Sequence, residues 1–218
     1  MKYVLSASIA LLVLMVTLGA IAGRSSGLGA VESSAMVIEE RGAATRVYEI
    51  DPTHTNVIFK IRHNSVANFY GRFNTTQGTI NLDKDNFERS SMEITVQMSS
   101  IDTHNRTRDG HLKGADFFNV RQYHQAKFVS SGIEEVGDGV YRMTGDFTLQ
   151  GKTVTIEAEL TDIYAKNFNN FDMLGVEARF TIKRSDFGIT KHLDANDPEN
   201  GPLGDRVDII VGIEAVGK

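Results

Sequence analysis

The stretch "SMEITVQM" (91–98) alternates Met92, Ile94, Val96 and Met98 with Ser91, Glu93, Thr95 and Gln97. A period of two puts one set on each face of a β-strand, and the apolar set must be covered. The pattern recurs. "TNVIFKIRH" (55–63) aligns Val57, Phe59, Ile61 and His63, and "TVTIEAEL" (153–160) aligns Val154, Ile156, Ala158 and Leu160. "LGVEARFTIKR" (174–184) aligns Leu174, Val176, Ala178, Phe180 and Ile182, and "VDIIVGIEAV" (207–216) aligns Val207, Ile209, Val211 and Ile213. Less regular strand candidates run from Phe69 to Leu82, with Phe73, from Ala126 to Val136, and from Val140 to Leu149, with Phe147. "VGDGV" (136–140) and "LQGKT" (149–153) are short Gly-bearing hairpin connections.

About eight amphipathic strands joined mostly by hairpins make an all-β, up-and-down antiparallel meander. Left open, such a sheet exposes an apolar face, and only a short piece near Thr107–Lys113 reads as helix to cover it. The sheet must fold on itself as a barrel or a sandwich. A barrel of about eight strands is either filled by side chains or holds one small ligand. Ala158, Ala178, Gly145 and the methionines leave room on the inner face, but the same residues can also pack a solid core.

Composition removes several functions. The chain has no Cys, which excludes disulfides, thiolate catalysis and Cys-based metal centres. Its net charge of −5 offers no basic excess for nucleic acid. The first residues address the chain elsewhere. Lys2 precedes the apolar run "VLSASIALLVLMVTLGAIAG", and Ala20 and Ala22 stand at −3 and −1 of a cut before Gly23. Residues 1–22 therefore read as a signal peptide or, uncut, as an N-terminal helix anchored in the inner membrane. Residues 23–46, small, polar and aperiodic, read as a flexible linker, and 47–218 as the folded domain. The expected location is periplasmic or secreted.

One polar string, "THNRTRDGHLKGADFF" (103–118), invites a catalytic or metal-binding interpretation. His104 and His111 are seven residues apart with Asp109 between them, and no HExxH or second histidine cluster accompanies them. No metal site is expected on that spacing. Thr103, His104 and Asp102 are consecutive, so an extended chain points them apart and assembles no nucleophile–base pair. A connector that closes a barrel end fits better. Asp102 or Thr103 caps a short helix. Arg108 and Asp109 anchor the turn to a neighbouring strand, with His111 beside them, and Leu112, Phe117 and Phe118 plug the end. A hydrolase or isomerase using His104, Asp109 and His111 is the rival reading. Among the other histidines, His54 fixes the "DPTH" turn, His192 is a solvated loop residue, and His63 shares the inward parity of Ile61. His63 is read first as a core histidine bonded to a backbone carbonyl, and second as a group that meets a ligand head.

Several segments together resemble the YceI-like family: "YEIDPTHTNVIFKIRH" (48–63), "GRFNTTQGTI" (71–80), "SSIDTHNRTRDGHLKGADFFNVRQYHQAKF" (99–128), "GDFTLQGKTVTIEAEL" (145–160) and "RSDFGI" (184–189). They follow in order and at the family's spacing from Tyr48 to Val216. The resemblance implies a lipocalin-like barrel, secreted or periplasmic, holding a long-chain isoprenoid lipid such as a polyprenyl phosphate or an isoprenoid quinone. Thr55 replaces the usual Ser, Thr76 stands where an aromatic is common, and His124 stands where Pro is usual. The segment "KHLDANDPENGPLGDR" (191–206) is longer than the family pattern. Thr76 is expected to change the lumen wall, and the long segment its mouth.

The expected function is a binding or carrier protein without catalysis or cofactor. It makes transient membrane contact while an apolar lumen holds the lipid. The expected lining is Val57, Phe59, Ile61, His63 and Phe73 from the first strands, Ile94 and Val96, Phe147, Ile156 and Ala158, then Val176, Ala178, Phe180, Ile209 and Val211. A solid-cored structural barrel is the other alternative. The export signal makes a direct prediction: mass analysis of the mature chain finds Gly23 at its N-terminus. A mature chain that keeps Met1 and sediments with membranes would instead establish the anchor.

Overall fold

A computed structural model describes residues 45–218. Residues 1–22, expected to be a signal peptide or anchor, lie outside the described residues, as does the stretch expected to be a linker up to residue 44. Arg46, assigned to the linker by its composition, already opens the first strand.

Eleven strand segments form one sheet: β1 (Arg46–Ile50), β2 (Asn56–His63), β3 (Ala67–Phe73), β4 (Thr76–Leu82), β5 (Ser91–Gln97), β6 (Ile101–Asp102), β7 (Gln125–Gly137), β8 (Val140–Leu149), β9 (Lys152–Phe168), β10 (Phe171–Lys183) and β11 (Leu203–Gly217). One helix, α1 (Arg106–Lys113), joins β6 to β7. The registers reduce the segments to eight staves. β11 pairs β1 at Tyr48–Gly217 and continues onto β2 at Val57–Val211. β1 and β2 are thus one strand interrupted at 51–55. β3 and β4 pair β2 and β1 in the same way, and β6 and β5 pair β3 and β4. The remaining strands, β7 to β11, follow as an antiparallel meander, and the β1–β11 pairing closes the ring. The fold is a closed eight-stave antiparallel barrel.

Turn chemistry fixes the long hairpins. Asp138 and Gly139, Gln150 and Gly151, and Asn169 and Asn170 all have positive φ. Such two-residue turns match the twist of the strands they join. Asn tolerates the left-handed region better than most residues, so the third pair manages without glycine.

The interruption at 51–55 has its own network. Asp51 accepts from the Thr53 hydroxyl at 2.6 Å and from the Thr53 N–H at 2.8 Å, and its other oxygen lies 2.9 Å from His54 Nδ1. The Thr53 hydroxyl first, and His54 next, hold the Asp51 carboxyl down at about 2. The same carboxylate raises His54 above its usual value.

The connector after β6 is organised by Thr103, which is buried. Its N–H and hydroxyl both donate to Asp109 Oδ1, and Arg108 Nε donates back to its hydroxyl at 2.9 Å. Arg108 also lies over the Phe69 ring of β3, 4.4 Å from the centroid. The helix cap is neither Asp102 nor Thr103. It is Asn105, whose side chain accepts from the Arg108 N–H at 3.0 Å, while Asp102 accepts from the His104 N–H. The 102–105 run holds several good capping residues, and composition does not select among them.

A buried cation organises the long segment before β11. Arg184 is only 3% exposed. It donates to the carbonyls of Gly204 and Leu203 at 2.8 Å, of Ile189 at 2.7 Å and of Lys191 at 2.8 Å. Asp205 beside it accepts from the Ser185 N–H and hydroxyl. The guanidinium thus ties the turn Arg184–Phe187 to both ends of the loop.

Two substitutions separate these anchors. Arg184→Met orphans several buried carbonyls and lowers stability by on the order of 3 kcal/mol or more. Asp109→Ala orphans the Thr103 donors and costs about 1–3 kcal/mol. Denaturant unfolding measures both, and a wild-type midpoint for either variant would contradict the corresponding network.

Candidate functional site: an apolar lumen and its mouth

The barrel is solid at one end and hollow at the other. Tyr48, Ile80, Leu160, Leu174 and Ala215 are at most 1% exposed and fill the end where β1 meets β11. Above them lies a cavity of about 540 Å³. Its floor is visible in the register of β10 and β11. Ala178, opposite Val211, lines the cavity, whereas Val176, opposite Ile213, lies below it in the packed half. The same step separates Ala158 from Leu160 on β9 and Ile94 from Met92 on β5.

Val57, Phe59, Ile61 and His63 of β2, Phe73 of β3, and Ile94 and Val96 of β5 line the cavity. So do Phe147 of β8, Ile156 and Ala158 of β9, Ala178 and Phe180 of β10, and Ile209 and Val211 of β11. Val176 is the one residue of the expected lining that does not line it. Alternation tells inside from outside but carries no information about depth, and Val176 is one rung too deep. Thr76, expected to alter the wall, is buried opposite Val96 and does not line the cavity. Gly145 does not leave space either. A Cβ there would sit 2.3 Å from the Phe128 ring, which lies across the glycine. Phe59 covers Gly71 in the same way.

Further wall residues alternate along β3, β7 and β8, and one sits in a turn. Phe128 and Met143 belong to β7 and β8, whose pairing is shifted between Ser130 and Gly132. Phe69 precedes a strand break, and Met98 sits in a 3₁₀ turn. Aromatic pairs stiffen the wall. Phe73 packs between Phe59 at 5.8 Å and Phe118 at 5.7 Å, and Phe147 meets Phe180 at 5.9 Å and Phe187 at 5.4 Å. Such contacts add about 0.5–1.5 kcal/mol each beyond burial.

The connector does cover this end. Leu112, Phe117 and Phe118 line the cavity together with Arg108 and His111. His63 is exposed at the opening and makes no ring hydrogen bond among the described residues, so it is not a core histidine bonded to a carbonyl. β2 ends there, and its last inward position faces the mouth rather than the interior. His192 is exposed, but it too lines the opening, with its ring 6.3 Å from Phe117. No period marks a loop residue, so sequence carried no signal for it. Pro202 and Leu203 of the same long segment complete the rim.

Asp109 faces Thr103, and among the described residues no hydrogen bond joins it to His104 or His111. Donors spaced for a metal ion occur among the described residues in Asp51, His54 and Glu214, within 4.8 Å of one another. They lie at the strand interruption, away from the lumen, and their hydrogen bonds hold that turn.

The YceI-like domain model matches residues 48–215. The protein YceI of Escherichia coli is 34% identical over 187 residues, spanning 84% of this chain and 93% of that one. Burkholderia cenocepacia BcnA superposes with a TM-score of 0.66 at 23% identity, covering 76% of this chain and 98% of its own. A polyisoprenoid binding domain from Saccharophagus degradans, implicated in plant cell wall breakdown, superposes at 0.58 with 12% identity, over 80% of this chain and all of its own. The lumen and the connector that covers it both lie within the matched span, and the chain belongs to the YceI-like family.

Proposed function

We propose that this protein is an extracytoplasmic carrier that holds a long-chain isoprenoid lipid in its lumen. The observation that carries this reading is the lumen itself. Hydrocarbon side chains make up nearly all of its wall, and its 540 Å³ lies within the range of about 300–1,000 Å³ usual for small-molecule pockets. Burying roughly 500 Å² of apolar chain is worth on the order of 12 kcal/mol gross. Lost translational and chain freedom takes back a large part. Apolar burial alone therefore supports useful affinity for an unbranched or isoprenoid chain, and the neighbour that is a polyisoprenoid binding domain favours the latter.

The apolar run at 4–22 supports export. Val66, 82% exposed in the β2–β3 turn next to His63, supports membrane contact at the mouth during loading.

Ala178 supplies the test. It sits at the floor, and a larger side chain there fills the space that a lipid tail would reach. Ala178→Trp abolishes retention of a fluorescent isoprenoid and lowers stability by less than about 1 kcal/mol, because the bulk enters a cavity. Overpacking of a filled core would cost about 1–3 kcal/mol instead. Thermal unfolding and ligand retention are measured on both proteins. A parent protein that retains no isoprenoid would remove the carrier reading.

A further inference from the structure

We infer that the protein associates with a second copy of itself through the overhanging end of β9, whose free edge, Asp162 to Phe168, pairs antiparallel with the same edge of the partner. This surface lies at the packed end of the barrel, away from the mouth, and its use does not depend on what the lumen holds.

The last rung between β8 and β9 joins Tyr141 to Leu160. β9 runs on to Phe168, so from Asp162 onward it has β10 as its only strand neighbour among the described residues. Alternate residues of such a strand turn their N–H and C=O groups to the open side, and that row is a template for another strand. The comparable overhangs are covered. The turn Phe87–Arg89 lies beside the end of β7. There Glu88 accepts from the Glu135 N–H at 3.2 Å, and Phe87 packs on Tyr141 with ring centroids 4.5 Å apart. The pairing of β10 with β11 ends at Met173, and next to it Arg46 and Lys84 both pair with Asp172.

The overhang of β9 carries aromatic rings instead. The register shifts between Gly175 and Glu177, and beyond that bulge Tyr164, Lys166 and Phe168 share one face, opposite Gly175, Met173 and Phe171. Tyr164, Phe168 and Phe171 are each more than half exposed. Gly175 offers Tyr164 no side chain to pack against. A bilayer would accept the rings but not the open backbone edge beside them, because hydrocarbon satisfies no N–H or C=O group. A second strand satisfies both.

The edge is complementary to itself in one register. A two-fold axis at Ala165 matches all seven residues. Tyr164 then faces the partner's Lys166, and Ile163 faces the partner's Asn167. Each lysine lies against a tyrosine ring, a favourable cation–π arrangement, and no like charges are opposed. An axis at Lys166 would set the two lysines against each other. An axis at Tyr164 would bring Phe168 to Leu160, whose edge β8 already occupies. Seven-residue edges make a small interface, below the roughly 1,200 Å² of stable complexes, so the association is reversible.

Sedimentation velocity on the purified chain finds a monomer–dimer equilibrium with a Kd on the order of 1–100 μM. Tyr164→Lys raises that Kd at least about tenfold, because lysines then face each other twice. Adding Lys166→Glu to it replaces both repulsions with ion pairs and brings the Kd back to within about threefold of the parent. The chain has no Cys, so a single one reports its neighbour. Ala165→Cys is crosslinked into a dimer by mild oxidation, since opposed Cα atoms about 4.5–5.5 Å apart fit a disulfide. Asn196→Cys, on the loop at the mouth, is not crosslinked. A parent that stays monomeric up to about 1 mM overturns the inference. So does a dimer that survives Tyr164→Lys, or one in which Ala165→Cys is not crosslinked. A monomeric parent that sediments with vesicles of phosphatidylglycerol and phosphatidylcholine, and loses this in Phe168→Ser, assigns the hairpin to the bilayer and overturns it as well.

Discussion

Closure of the sheet is the constraint on which everything else rests. One apolar face runs along all eight staves, and a single eight-residue helix is the only α-helix among the described residues available to cover it. The face must be turned inward against itself. β11 achieves this by pairing with β10 on one edge and with β1 and β2 on the other. The seam joins the first strands of the domain to its last. A partial domain lacking either would expose the apolar face and an unpaired edge together. This also explains why the interruption at 51–55 is so densely bonded. The Thr55 hydroxyl lies 3.3 Å from both the carbonyl and the N–H of Glu214, and the Asp51 N–H donates to that carbonyl at 2.8 Å. These bonds keep two half-strands in one register on β11.

Much of this was legible in the sequence, for a physical reason. The side-chain period of a strand is two whatever the barrel's size, so alternation identified the inner face of β2, β5, β9, β10 and β11 without knowledge of their partners. Hairpin length was legible in "VGDGV" and "LQGKT" because positive φ restricts the residues that can stand there. The strand breaks were not legible. Phe69 to Leu82 reads as one strand because its pairing does continue across the break. Depth was not legible either. Val176 and Ala178 have the same parity, and only the arrangement of the other staves decides which of them meets open space. The rim was the least legible part. His192 reaches the mouth through a loop whose path is set by Arg184, and that arginine's contacts are to backbone carbonyls, which leave no trace in side-chain pattern.

A solid half and a hollow half in series meet two demands that conflict within one core. An empty apolar space destabilises by removing the contacts its lining would otherwise make. The packed end around Tyr48, Leu160 and Leu174 carries no such loss, and it anchors the staves that extend upward to form the wall. The alternatives posed by the inner-face composition, a filled barrel or a binding one, are both realised, one above the other.

The width of the hollow half comes from where rings lie as much as from small residues. Phe59 and Phe128 belong to the wall, and the ring of each closely approaches a glycine of the neighbouring strand, Gly71 and Gly145. A Cβ at either glycine would stand 2.3 Å from the ring, so the ring would have to shift. Gly145 first reads as a gap on the inner face. In the fold it is the recess that lets a large aromatic lie close to the wall. Small residues in a barrel therefore act in two ways. Ala158 and Ala178 leave the floor low, and Gly71 and Gly145 let bulky neighbours approach closely. The second effect depends on a cross-strand partner, so it can be recognised only once the register is known.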